Sequence, residues 1–391
     1  MTGVKQQSPD EKLYADAVED ESIDASEFPF DPSRIDITTQ VVTVFNVIEK
    51  LRSNEIDMAP DFQRHPNLWR PWQQSRLIES LILGIPLQAF YFDVSNETVV
   101  DPVFGTTRRQ VWRVVDGLQR LSAMRNFILD GKLRLERMEY LKQLEGCAFA
   151  ELSPQLQSRI NVSPLSLYLI RPDTPEEIKF NIFKRVNTGG LPLNQQEIRH
   201  AIFHGKGTSF ISELAHLESF RNATCGRILD RRMQDREFVN RFLAFYLLDA
   251  KEAYRSMDLF LNDAIRVLNG MDSVQLGSVR EHFGMAMSLA SRLLGENAFK
   301  RFQPEDKTWS LKINKAVFET LSVALARLSS DAQERLASCR DFVFQYQEMF
   351  SSHYDDETFN DLVTVSTGNR RKVLARHELM SRFISNILGE P

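Results

Sequence analysis

VVDGLQRLSAMRNFI, residues 114–128, begins as a β-branched strand, breaks at Asp116-Gly117 and continues with apolar residues at helical spacing. A strand that passes into a helix through a glycine turn is the elementary piece of an α/β unit. The turn also carries Asp116, Gln119 and Arg120, and this asks for a reason beyond architecture. Gly117 lets main-chain amides approach a ligand closely. Those amides and the helix dipole favour an anion, by about 0.3–1 kcal/mol each. Arg120 in the first helical turn opposes the dipole but can add a bidentate contact to phosphate. Asp116 could orient Arg120 or hold a hydrated Mg²⁺. The plainer reading of the same residues is an Asp N-cap followed by a solvent-facing arginine.

Working outward, LQAFYFDV after Pro86 and VWRVV before Asp116 read as buried strands. Residues 71–83, with a Pro start and a Leu77, Ile78, Leu81, Ile82 stripe, predict a helix ended by Gly84. The spacing of Val41, Val44, Phe45, Ile48 and Leu51 predicts another helix from Val41 to Leu51. Residues 139–170 read as a short connection and a further strand, LSLYLI. From about residue 175 the pattern is helical almost to the end. The fold class is therefore α+β: a small mixed α/β core followed by a mainly α-helical C-terminal half, with the change near residue 172. Residues 1–33 (SPDEKLYADAVEDESIDASEF within them) are acidic and aperiodic, and read as a flexible tail.

Bulk properties narrow the function. The 391 residues carry a net charge of −5, so no global basic field draws the chain to nucleic acid. Three widely spaced cysteines, Cys147, Cys225 and Cys339, argue against a disulfide framework and fit a reducing cytoplasm. No apolar run approaches the roughly 20 residues of a membrane span.

Two further clusters carry chemistry. DFQRHPNLWRPWQQSR sets Gln63 and Arg64 beside Trp69 and Trp72. Arginine with aromatics can grip a base, although tryptophans that wedge the next helix onto a sheet explain it equally. In FKRVNTGGLPLNQQEIRHA, Asn194 and Glu197 have capping-box spacing, while Arg185, Asn187 and Arg199 exceed what capping needs. Other signals fail on inspection. HAIFH spaces His200 and His204 one turn apart without a third zinc ligand. HGKGTS departs from the phosphate-loop pattern, and no His-Asn-His nuclease signature is present. DRRMQDR and NRRK read as solvated helix faces, the second within reach of a phosphate backbone.

Taken in order, PDFQR…LIESLILGIPLQAFYF, VVDGLQRLSAM and IFKRVNTGGLPLNQQEIRHA resemble the N-terminal domain of GmrSD-type restriction endonucleases, a ParB-like family frequent in phage defence. The resemblance spans about residues 37–250. It implies a ParB/sulfiredoxin-like core with a DGQQR-type motif that binds and hydrolyses a nucleoside triphosphate, GTP or ATP, with Mg²⁺. Carried over, the motif is Asp116, Gly117, Gln119 and Arg120, faced by Gln63 and Arg64, with Asn187 and Arg199 from the third segment. Asp116, Gln119 and Arg120 would be catalytic, and Asp116 the metal ligand. Leu118 stands where the motif has its first Gln; its spacing with Leu121 would also suit a core position.

The resemblance divides the chain into the tail 1–33, a nucleotide-binding domain 34–172, a helical arm 173–250 completing the family domain, and a helical bundle 251–391. The function implied is an NTP hydrolase of a restriction-like defence system, acting with DNA and a separate nuclease or modification-sensing partner, with oligomers open. The alternative is a non-catalytic DNA-sensing module or scaffold of the same fold.

Overall fold

The computed structural model describes residues 36–58, 69–101, 105–186 and 194–389. They fall into two compact units, meeting in sequence between Ile202 and Phe203. Gln63, Arg64 and Asn187 lie outside the described residues.

The first unit is built on a five-stranded mixed sheet. Its elements in chain order are β1 (Ile37–Thr43), α1 (Val44–Arg52), β2 (Ile56–Asp57), α2 (Pro71–Leu83), β3 (Phe90–Asp101), β4 (Gly105–Asp116), α3 (Leu118–Met124), α4 (Pro154–Val162), β5 (Pro164–Ile170), α5 (Glu176–Val186) and α6 (Gln195–Ile202). The spatial order is β1-β5-β3-β4-β2. β1/β5 and β3/β4 are antiparallel, whereas β3/β5 and β2/β4 are parallel. Alternation along the strands sends Phe90, Phe92, Val94, Trp112, Val114, Leu165, Leu167 and Leu169 into one core with the stripes of α1 and α2. Leu118 and Leu121 of α3 join that core, so Leu118 is a packing residue here.

Three sequence expectations need correction. Val41 belongs to β1 and is 69% exposed; the helix starts after Thr43, which caps it in a capping box with Asn46. A five-residue apolar set spaced for a helix also fits a strand followed by a helix, and pairing with β5 decides between them. The segment 139–170 hides α4, whose Ser153-Pro154 start is orthodox but which buries only Ile160, so it carries almost no stripe. The helix after the glycine turn is α-helical only to Met124 and continues as one π turn, Arg125–Leu129.

The second unit packs helices Gln234–Leu247, Met257–Gly270, Ser273–Leu294, Lys315–Ala326 and Arg370–Leu388 with shorter ones, plus the hairpin Lys300–Gln303/Thr308–Ile313 that periodicity alone does not reveal. Phe220, Phe238, Phe242, Phe283 and Phe318 form an aromatic centre with ring separations of 4.8–6.0 Å. Glu319, fully buried, accepts from Arg241 at 2.9 Å and from Arg376 Nε at 3.0 Å, so this buried carboxylate is paired. HGKGTS has a packing role: Gly207 N–H donates to Asn269 at 2.7 Å, and a Cβ on Gly207 would stand 2.9 Å from Leu268. The basic groups of NRRK are engaged as well: Arg370 donates to Tyr254 O, Arg371 pairs with Glu357, and Lys372 reaches Glu357 at 2.7 Å. Among the described residues no helix is long and apolar enough to cross a membrane.

One buried carboxylate organises the connection after the π turn. Glu79 on α2 is 3% exposed and accepts the main-chain N–H groups of Glu139, Tyr140 and Leu141 at 2.8–3.0 Å. Burial by itself would raise its pKa, but these three donors and nearby Arg76 hold it below the ordinary 4.5. A depressed folded-state pKa contributes stability above the unfolded value and loses it as pH falls through the folded one. Glu79→Gln is therefore expected to destabilise the protein by about 1.5–3 kcal/mol at neutral pH. The gap to wild type should shrink once pH drops below 4.5, as read by denaturant melts at both pH values.

Candidate functional site

β4 ends in a bulge. Phe92 pairs with Val114 and Tyr91 with Asp116, which leaves Val115 as the extra residue and turns the strand end. Gly117 follows with φ 107° and ψ 6°, a left-handed conformation, and is the N-cap of α3. A Cβ there would lie 2.4 Å from Cδ1 of Phe90. Two independent constraints thus demand glycine: backbone sign and contact with the Phe90 ring.

Arg120 is not solvent-facing, and Asp116 is not the cap; on both points the plainer reading fails. Arg120 is 8% exposed and its guanidinium centre sits 4.4 Å over the Phe90 ring. Nη2 donates to Asp116 Oδ2 at 2.7 Å and to Ala89 O at 3.1 Å, while Nη1 donates to Gln88 O. The arginine therefore clamps the start of α3 to the chain entering β3. Burial pushes the Asp116 carboxyl above its ordinary 3.8, and the charge of Arg120 and the Gly117 N–H pull against that rise. Burial likewise lowers Arg120, against the attraction of Asp116. Asp116 already carries a guanidinium, so this donor set suits orientation of Arg120 better than direct ligation of Mg²⁺.

Gln119 has a defined partner too. Its Oε1 accepts the Trp69 N–H at 3.2 Å, Gln74 Nε2 donates to Trp69 O at 2.9 Å, and Asn126 Nδ2 donates to Gln74 Oε1 at 2.9 Å. This relay binds the start of α3 and the π turn that follows it to the start of α2, and Trp69 packs against the core as the wedge reading requires. Asn194 and Glu197 do form the reciprocal capping box, at 2.6 and 2.8 Å. Arg199 is 1% exposed, donates to Gln196 Oε1 at 2.7 Å and lies 5.8 Å from the Phe180 ring. The junction thus brings together Asp116, Gly117, Gln119 and Arg120; Arg199 belongs to the packing of α5 and α6.

Sequence reasoning missed a second buried pair. Lys179 of α5 donates to Asp93 Oδ1 of β3 at 2.6 Å, with side chains 10% and 6% exposed. Burial raises the Asp93 carboxyl despite Lys179 and Arg113, and Glu176 adds to the rise. The available signal was an acidic residue inside the apolar run FYFDV.

The sequence profile described as GmrSD restriction endonuclease, N-terminal domain, matches residues 46–204. Over these residues the chain is similar to the GmrSD N-terminal domain family. The match contains the DGLQR turn and runs from within α1 to just past α6. No curated protein matches the chain. The description of that profile places the family among restriction endonucleases.

The clamp has a direct consequence. Gly117→Ala should destabilise the domain by about 2–5 kcal/mol, combining left-handed strain with the clash on Phe90. Equilibrium unfolding in denaturant checks this.

Proposed function

We propose that the chain is a cytoplasmic nucleoside triphosphate-binding protein and NTP hydrolase of a restriction-type anti-phage system, acting on DNA with a separate nuclease or modification-sensing subunit. The observation that carries the reading is the preorganised junction at Asp116–Arg120. A glycine with positive φ opens a helix whose first amides have no partner within the helix. Beside them a guanidinium is fixed by Asp116, Gln88 and Ala89, with Nε uncommitted among the described residues. Phosphoryl transfer asks mainly for positioning and charge stabilisation, and fixed donors supply both without reorganising. Mg²⁺ would arrive on the phosphates of GTP or ATP. Gln63, Arg64 and Asn187 are proposed to complete the nucleotide site, with the buried Arg199 holding α5 and α6 together rather than touching the ligand, and Gln119 to act at the reacting end.

A second reading is binding without turnover, as in a DNA-sensing module or scaffold. It is favoured by Leu118, which sits in the core where the family motif has a Gln, and by the engagement of Gln119 Oε1 with Trp69.

A thermal-shift panel with Mg²⁺ tests binding, because a ligand at 100-fold over its Kd stabilises by about 2.7 kcal/mol. Phosphate release then separates the readings. GTP or ATP should stabilise the wild type, and Arg120→Lys, which keeps charge but loses the planar fork, should lose that shift and any phosphate release. Equal signals from both proteins contradict the proposal. Binding with no release above background selects the second reading.

A further inference from the structure

The sheet has a second face, opposite the core of Phe90, Phe92 and Leu167. Four residues form a lateral row across it by register: Asp116 on β4, Tyr91 on β3, Tyr168 on β5 and Thr39 on β1. The Tyr91 and Tyr168 rings stack, with centroids 4.8 Å apart and planes at 21°. Both are half-buried, and the adjoining patch is open: Thr39 and Ser166 are exposed, and Val41 is 69% exposed. Deeper along the same face the surface closes over the buried Asp93–Lys179 pair.

Cross-strand aromatic pairs stabilise antiparallel sheets by about 0.2–1 kcal/mol, and packing of the same kind on this parallel pair needs no ligand. Two features go beyond it. Among the described residues neither tyrosine hydroxyl makes a hydrogen bond, so both remain available to a ligand. The pair also shares its row with Asp116, two strand spacings or roughly 10 Å from Tyr168 to the clamp. Burial raises the Tyr91 hydroxyl above its ordinary value, and the proximity of Tyr168 and Asp116 adds to this, which places the platform electrostatically beside the junction.

We infer that Tyr91 and Tyr168 form a stacking platform for a nucleobase, with the phosphates of the same ligand directed to the Gly117–Arg120 junction. The second half of this statement rests on the phosphate-binding reading above. The platform requires only a π-face, and the base can belong to a free nucleotide or to an unstacked residue of DNA.

The experiment uses the full chain and two probes, 2-aminopurine riboside triphosphate and a single-stranded oligonucleotide carrying one 2-aminopurine. Stacking quenches the fluorescence of either, and the probe that responds identifies the source of the base. Tyr168→Phe keeps the ring face and should still quench the responding probe, whereas Tyr168→Leu, apolar but not aromatic, should bind roughly 5- to 150-fold more weakly. Thermal unfolding of each variant controls for folding, and Tyr91→Leu repeats the comparison if Tyr168→Leu unfolds.

Equal affinity of Tyr168→Leu and wild type overturns the platform, as does absence of quenching by wild type on both probes. Competition with inorganic tripolyphosphate keeps the two readings apart. Displacement of a probe that Tyr168→Leu still binds normally retains the phosphate seat and removes the platform. No displacement of a probe that Tyr168→Leu has lost retains the platform and removes the seat.

Discussion

One buried contact set fixes the geometry on which the rest depends: the Arg120 guanidinium lying on Phe90 and held by Asp116 and the carbonyls of Gln88 and Ala89. It joins the end of β4, the start of α3 and the approach to β3. Buried ions are expensive unless their charges and hydrogen bonds are satisfied. Here the carboxylate, two carbonyls and an aromatic face surround one cation, so the cost of burial is offset by partners held in the right places. Phe90 serves twice, carrying Arg120 on its face and excluding any side chain at position 117. The glycine, the aspartate and the arginine of the motif are thus parts of one packing solution.

That solution bears on function through preorganisation. A guanidinium anchored by three acceptors cannot swing freely toward solvent, so whatever it binds must come to it. The amides that open α3 are presented beside it by the same turn. The second buried pair, Asp93–Lys179, secures α5 to the face of the sheet that points away from the Phe90 and Phe92 core. Between these two pairs the sheet presents the stacked tyrosines.

Much of this was legible in the residues. The strand–glycine–helix reading of 114–128, the helix Pro71–Leu83 with its Gly84 cap and the Asn194–Glu197 box are local features, written in turn and cap chemistry. The order of three motifs was enough to bring the GmrSD family into view. What escaped depends on partners distant in sequence. Val41 fitted a helical stripe until β5 claimed it, and α4 buries too little to be seen. Arg120 looked available for a ligand because its acceptors, Gln88 and Ala89, are main-chain carbonyls that no side-chain pattern advertises. Gln119 reads as a polar group awaiting substrate until Trp69 N–H is found on it. The Tyr91–Tyr168 stack arises from a parallel pairing across 77 positions of chain, invisible to any local period.

The most direct measurement is a double-mutant cycle on Asp116→Ala and Arg120→Ala, followed by equilibrium unfolding of the four proteins. A clamp of the kind described predicts strong non-additivity, with a coupling of about 2–3 kcal/mol, because either single change strands a buried charge that the double change removes. Additivity of the two single changes within about 0.5 kcal/mol would mean that the pair does not act as a unit, and the account of the junction would be wrong.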